Sequence, residues 1–116
     1  MKFEMLRYNS DFSRAYKRGK QYVHPHIVLY VNKTKKGITR VGITCSKKVG
    51  GAVVRNRARR VILHALYEVL PQQAGSVDIV LVARAQTPRQ NSRLLAQTLK
   101  KLLQNAGIAA KQEQKA

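Results

Sequence analysis

The fifteen residues from Ser46 to Arg60 (Ser-Lys-Lys-Val-Gly-Gly-Ala-Val-Val-Arg-Asn-Arg-Ala-Arg-Arg) contain six cations and no acid. Four of the cations, Arg55, Arg57, Arg59 and Arg60, fall just after Gly50-Gly51, a chain break from which a long helix is predicted to start. A helix start offers unpaired N–H groups and the positive end of the macrodipole, and an arginine fork holds phosphate bidentately. The chemistry of such a cluster is anion capture. Arg55 and Arg59, at i and i+4, would follow a phosphate backbone along one flank, with Asn56 beside them and Lys47 and Lys48 leading in. A charge run is usually a solvated face. Here no carboxylate precedes Glu68 on the helix to relieve the like charge, which favours a polyanionic partner.

A second set joins aromatic rings to a base. Phe12 and Tyr16 lie one helical turn apart, Lys17 follows, and Tyr30 falls on a strand face shared with small residues of the next strand, Gly42 and Thr44. Rings bordered by bases and small side chains suit stacking of single-stranded RNA, yet an aromatic pair at helical spacing serves a core equally well. The residues alone leave both readings open.

The remaining polar sets are weaker. His24-Pro25-His26 has no third metal ligand at suitable spacing and is read as exposed or RNA-facing. Gly50-Gly51 lacks the P-loop pattern and serves as a hinge into the helix. No Ser/His/Asp set or carboxylate pair is present. Phosphodiester cleavage needs an activated water, usually with metal held by carboxylates, and five acids scattered over 116 residues do not supply that. The chain is expected to hold no catalytic and no metal-ligating residue of its own.

Whatever positions these groups must be one small domain, residues 1–116, since 116 residues support a single core. Lys and Arg number 23 against five Asp and Glu, a net charge of +18. The balance is lopsided: residues 1–60 hold 16 bases against Glu4 and Asp11, a net +14, whereas the rest of the chain nets +4. With 44% hydrophobic residues the chain is no disordered basic tail, so the charge points to a folded binder of a polyanion. No run approaches the roughly 18 apolar residues of a membrane span, and the first residues lack a signal-peptide stretch. The single cysteine, Cys45, excludes an internal disulfide, fits a small core residue and suits a reducing, cytoplasmic setting.

The predicted elements run αββαβα. A helix from Asp11 to Arg18 is capped by Asn9 or Ser10 and stopped by Gly19. Tyr22 to Val31 alternates as one strand, with Val23, Ile27, Leu29 and Val31 on one face and Tyr22, His24, His26, Val28 and Tyr30 on the other. Residues 32–37 form a basic turn, and Ile38 to Ser46 a second strand with Val41, Ile43 and Cys45 on its apolar face. The long helix covers Val53 to Leu70. Val54, Ala58, Val61, Ile62, Ala65 and Val69 form its apolar stripe, with Asn56, Arg60, Leu63 and Tyr67 opposite. Val77 to Ala83 is a buried strand interrupted by Asp78, and Asn91 to Ala106 a helix stopped by Gly107. Order is expected over residues 6–107, with the tail 108–116 frayed. The fold class is α/β (α+β), a mixed sheet with helices packed on it.

The order Lys47-Lys48-x-Gly50-x-Ala52-x-x-Arg55-Asn56-Arg57-x-x-Arg60 resembles the signature of the bacterial ribonuclease P protein subunit. The wider order, from Asp11-Phe12 through Ile27-Val28-Leu29-Tyr30, Arg40-Val41-Gly42 and Asp78-Ile79-Val80 to the Leu-rich last helix, is similar to that family over about residues 6–104. Ala58 and Leu63 depart from its pattern, the first thinning the core and the second weakening RNA contact far along the helix.

The resemblance implies an α/β sandwich with a left-handed βαβ crossover, against the usual right-handed rule. It implies a holoenzyme whose RNA subunit, with Mg²⁺, hydrolyses precursor tRNA to the mature 5′ end. The protein would act as cofactor, with no small-molecule substrate and no membrane partner. Lys47, Lys48, Arg55, Asn56, Arg57, Arg59 and Arg60 would meet the RNA subunit; Phe12, Tyr16, Lys17 and Tyr30 would form the cleft for the precursor's 5′ leader. The alternative is a non-enzymatic ribosomal-type RNA-binding protein. A DNA regulator fits less well, because strand and loop rather than a helix-turn-helix partner precede the basic helix.

Overall fold

In the computed structural model, residues 3–71 and 74–108 are described. About two-thirds of that length lies in the strands of one sheet and the helices that cover its two faces. In chain order the elements are β1 (Glu4–Met5), α1 (Asn9–Arg18), β2 (Lys20–His24), β3 (Ile27–Lys33), β4 (Thr39–Thr44), α2 (Ala52–Val69), β5 (Val77–Ala83) and α3 (Ser92–Asn105), with a 3-10 turn at Thr87–Arg89 before α3. The sheet order is β1-β4-β5-β3-β2. β1 pairs with β4 and β4 with β5 in parallel; β5–β3 and β3–β2 are antiparallel.

The mixed sandwich is as expected, but two strands were not legible. The stretch read as one strand is a hairpin. Pro25 fixes its backbone and offers no N–H, and the pair His24↔Ile27 closes a two-residue turn. That turn reverses the parity of what precedes it. Tyr22 pairs with Leu29 and packs on the main core, while Val23 faces the other way and is 59% exposed. The other unread strand, β1, shows only exposed Glu4 and Met5, and its buried residues, Phe3 and Leu6, flank it. The first helix starts at Asn9, so its cap is Tyr8 and no side chain caps it, contrary to the expected role of Asn9 or Ser10.

The core lies between one sheet face and the pair α2–α3. Ile27, Leu29, Val41, Ile79 and Leu81 from the strands meet Ile62, Leu66, Leu95, Leu99 and Leu103. On α2 the stripe is Ala58, Ile62, Ala65, Leu66 and Val69. Leu63, read as lying opposite, is half-buried against this core, and Val54 sits at its margin rather than inside it. Cys45 is buried in the same cluster, and Ala58 is fully covered. Helix α3 is capped by Asn91, whose side chain accepts a hydrogen bond from the Leu94 N–H at 2.8 Å. It ends as expected at Gly107 (φ +82°), where the Ile108 N–H reaches back to Leu103 at 2.9 Å. The tail expected to fray was 108–116; its first residue, Ile108, is instead buried and bonded to Leu103, and residues 109–116 lie outside the described residues.

Helix α1 packs on the opposite face, against a smaller cluster of Leu6, Ala15 and Val80 with Phe12, Tyr30 and Val82 half-buried around it. β1, β4, β5 and β2 all point one way. The connections β1–α1–β2 and β4–α2–β5 both step the same way across the sheet, yet their helices lie on opposite faces. The two crossovers therefore have opposite hands, and one of them departs from the right-handed rule.

Candidate RNA interface

Two surfaces meet at the end of the sheet where β4 finishes. The first begins in the turn after Thr44. The Val49 N–H bonds to the Ser46 carbonyl at 3.1 Å and the Gly50 N–H to the Lys47 carbonyl at 3.2 Å, which turns the exposed Lys47 and Lys48 outward. Gly50 has φ +152°, and a Cβ there would sit 2.8 Å from the Val54 side chain, so the chain can enter α2 here only through glycine. No side chain caps α2 at Gly51, and its first turn carries no acid. Its leading N–H groups are left to solvent or an anion.

On α2, Asn56, Arg57, Arg59 and Arg60 are exposed. Among the described residues, no carboxylate lies within salt-bridge distance of any α2 arginine: the ion pairs involve Arg14 and Arg40 alone. Arg55 differs from its neighbours. It is half-buried, and its Nε is, among the described residues, the single buried side-chain nitrogen or oxygen without a hydrogen bond. Arg59 and Arg55 both act on Cys45: burial pushes that thiol's pKa up, and the two guanidinium charges pull it the other way. The Arg55 stem therefore contributes packing as well as charge, unlike Arg59 and Arg60.

The second surface lies between α1 and the sheet. The Tyr16 and Tyr30 rings meet edge to face at 4.9 Å, and the Tyr16 hydroxyl is 3.4 Å from Thr44 Oγ1. Gln21 Nε2 donates to the Tyr30 hydroxyl at 2.9 Å. Gly42 is where the ring of Phe12 lies, since a Cβ on Gly42 would overlap it. The structure thus brings Phe12, Tyr16 and Tyr30 together, with Lys17 exposed next to them. Burial divides the three rings. Phe12 and Tyr30 are half in the small cluster under α1, while Tyr16 is 41% exposed. Thr44 stands two residues before Ser46, so the aromatic groove opens toward the basic turn.

Behind the groove lies a network that sequence reasoning missed. Asp78 is fully buried and receives two bonds from Arg40, Nε to Oδ1 at 2.9 Å and a terminal nitrogen to Oδ2 at 2.8 Å. The same guanidinium reaches Asp11 at 3.3 Å, and Asp11 also pairs with Arg14 at 3.2 Å. The hydrogen bond to Asp78 raises the Arg40 pKa above its ordinary value although burial opposes it. The signal was available: an aspartate inside an all-apolar strand needs a partner. This network ties α1 to β4 and β5 and sets the angle of the Phe12–Tyr16 edge.

Among the described residues, the donor set does not fit a Mg²⁺ site. Asp11 and Asp78 are engaged by Arg40, and among the described residues no three His, Cys, Asp or Glu side chains converge. The His24 and His26 rings meet edge to face at 5.0 Å, and the His26 backbone N–H donates to His24 Nδ1 at 3.0 Å. No helix among the described residues is long and apolar enough to cross a membrane.

Residues 1–107 match a protein family described as Ribonuclease P. The Ribonuclease P protein component of Clostridioides difficile is 35% identical over 105 residues, spanning 90% of this chain and 92% of that one. The Clostridium botulinum counterpart is 36% identical over 109 residues, 93% of this chain and 98% of the relative. The RNase P protein of Staphylococcus aureus superposes with a TM-score of 0.75 at 28% identity, covering 90% of this chain and 95% of the other. That of Thermotoga maritima gives 0.74 at 27% identity, covering 88% and 96%.

Proposed function

The chain belongs to the ribonuclease P protein family, and from that premise we propose that it binds the catalytic RNA subunit through the start of α2 and holds the 5′ leader of precursor tRNA in the aromatic groove. The RNA subunit hydrolyses the phosphodiester bond that frees the mature 5′ end, and Mg²⁺ belongs to the RNA side of the complex. The protein is a cofactor of that cytoplasmic enzyme. It positions the precursor and neutralises repulsion between two polyanions. Family membership sets aside the ribosomal-type alternative.

The observation that carries this reading is the set of α2 arginines with no carboxylate partner among the described residues, together with the cluster of Phe12, Tyr16 and Tyr30 beside Thr44. Lys47, Lys48, Arg55, Asn56, Arg57, Arg59 and Arg60 take phosphates of the RNA subunit. Phe12, Tyr16 and Tyr30 stack leader bases, and Lys17 meets the leader backbone.

The test separates the two surfaces. Arg59→Ala with Arg60→Ala removes exposed groups only, so the fold survives. Affinity for the RNA subunit should fall, with a salt dependence shallower by about 0.7–0.9 per lost phosphate contact. Discrimination by leader length should not change. Phe12→Ala should do the reverse, weakening the holoenzyme's hold on leader-bearing precursor by about 1–3 kcal/mol per unstacked base. Equal loss of affinity for leaderless and full precursor in Phe12→Ala would refute the groove assignment.

A further inference from the structure

At the opposite end of the sheet from the start of α2 lies a second cationic surface that the reading above does not use. Lys33 ends β3, and Lys35 and Lys36 follow in the loop to β4. Arg14 and Arg18, at i and i+4, project from α1 toward the same hollow, a cavity of about 430 Å³ that the buried Asn32 and half-buried Thr34 also line. Five bases thus face one concavity. The carboxylate paired there is Asp11, which Arg14 shares with Arg40.

The loop is braced rather than draped. The Thr34 N–H bonds to the Ser76 carbonyl at 2.9 Å, the Gly37 N–H to Ser76 Oγ at 2.8 Å, and the Lys36 N–H to Thr34 Oγ1 at 3.3 Å. Holding lysines this close together without an acid costs stability through self-repulsion, which a bound polyanion would reverse. No aromatic side chain lines the hollow. It can therefore hold phosphates but cannot stack bases, which suits a duplex, whose bases are already stacked on one another. Helix α1 separates this surface from the groove: Phe12 and Tyr16 occupy one flank of the helix, Arg14 and Arg18 the other.

We propose that Arg14, Arg18, Lys33, Lys35 and Lys36 form a second RNA-binding surface that takes the phosphate backbone of double-stranded RNA, independently of the groove and of α2. The inference rests on the chain being an RNA-binding subunit, but it adds a separate contact. With both ends of the sheet engaged, the protein bridges two RNA segments on either side of α1.

The full-length protein carrying Arg18→Gln, Lys35→Gln and Lys36→Gln tests this, since all three side chains are exposed and the loop's hydrogen bonds come from backbone groups, Thr34 and Ser76. The probes are a short blunt RNA duplex of arbitrary sequence and a single-stranded RNA of the same length, each titrated against salt by fluorescence anisotropy. The triple variant should show a duplex salt slope shallower by about 2, at roughly 0.7–0.9 per lost phosphate contact, while its single-strand affinity stays within twofold. Phe12→Ala, measured alongside, should weaken the single strand and spare the duplex. An unchanged duplex slope in the triple variant, or equal loss on both probes, would overturn the proposal. Neither result touches the reading of α2, which fails only if Arg59→Ala with Arg60→Ala leaves RNA-subunit affinity unchanged.

Discussion

On the sheet face under α2 and α3, Leu29, Val41, Ile79 and Leu81 meet Ile62, Leu66, Leu99 and Leu103, and every one of these side chains is buried. On the other face the same strands present Tyr30, Arg40, Gly42, Thr44 and Asp78 to α1. The covering helices differ in reach. With 18 and 14 residues, α2 and α3 extend about 27 and 21 Å, whereas the ten residues of α1 extend about 15 Å. One short helix cannot cover a five-stranded sheet, so part of that face remains a groove. The closed face holds the fold together; the open face holds α1 at a set angle through an ion-pair network and keeps its aromatic edge accessible.

The contrast breaks most visibly in stability. Asp78→Ala leaves the largely buried Arg40 guanidinium without its bidentate partner and should cost about 3–5 kcal/mol in urea unfolding. Leu81→Ala on the closed face should cost a comparable about 2–5 kcal/mol through its cavity. The two losses respond differently to repair. Combining Asp78→Leu with Arg40→Met should recover most of the first, because an apolar pair of similar volume replaces two desolvated charges. The double variant should fold well and yet bind leader-bearing precursor more weakly, since the network no longer sets the angle of α1. A double variant as unstable as Asp78→Ala would mean that the ions themselves stabilise the open face.

A smaller effect sharpens the account of the groove. Gly42→Ala would place a methyl where the Phe12 ring lies, with Leu6 also 3.0 Å away. The ring can swing out, so the fold should persist while affinity for leader-bearing precursor drops several-fold and affinity for the RNA subunit is unchanged. Unchanged precursor affinity would show that the Phe12 position is irrelevant to leader binding.

The smallest effect concerns the β2–β3 turn. Burial, then the charges of His26 and Lys101, hold the His24 pKa below its ordinary 6.5. An unfolded chain therefore takes up this proton more readily than the folded one. The stability linked to His24 is present above pH 6.5 and is lost as pH falls through the lowered folded value. His24→Gln should flatten the stability profile on that acidic side and leave it unchanged above neutrality. An identical slope in both proteins would remove His24 as its source.

Residue type and spacing alone pointed to a polyanionic partner and located the three helices. They also identified the central buried strand β5 and the row from Lys47 to Arg60. These follow from local rules: glycine breaks, a 3.6-residue apolar period and charge left without nearby acids. The tertiary structure decided what depends on pairing across the chain. The turn at Pro25 reversed which face Tyr22 and Val23 present, and a two-residue strand at Glu4 had no period to read. Asp78 stood out in the sequence as an oddity. Only the parallel register Arg40↔Asp78, with α1 bringing Asp11 over both, turned it into the tie that orients the groove. Burial worked the same way on two α2 side chains. Leu63 lies half in the core and Arg55 keeps its Nε under cover, because helix periodicity ranks faces, while the width of the sheet and the position of the neighbouring helix set how far around α2 the core extends.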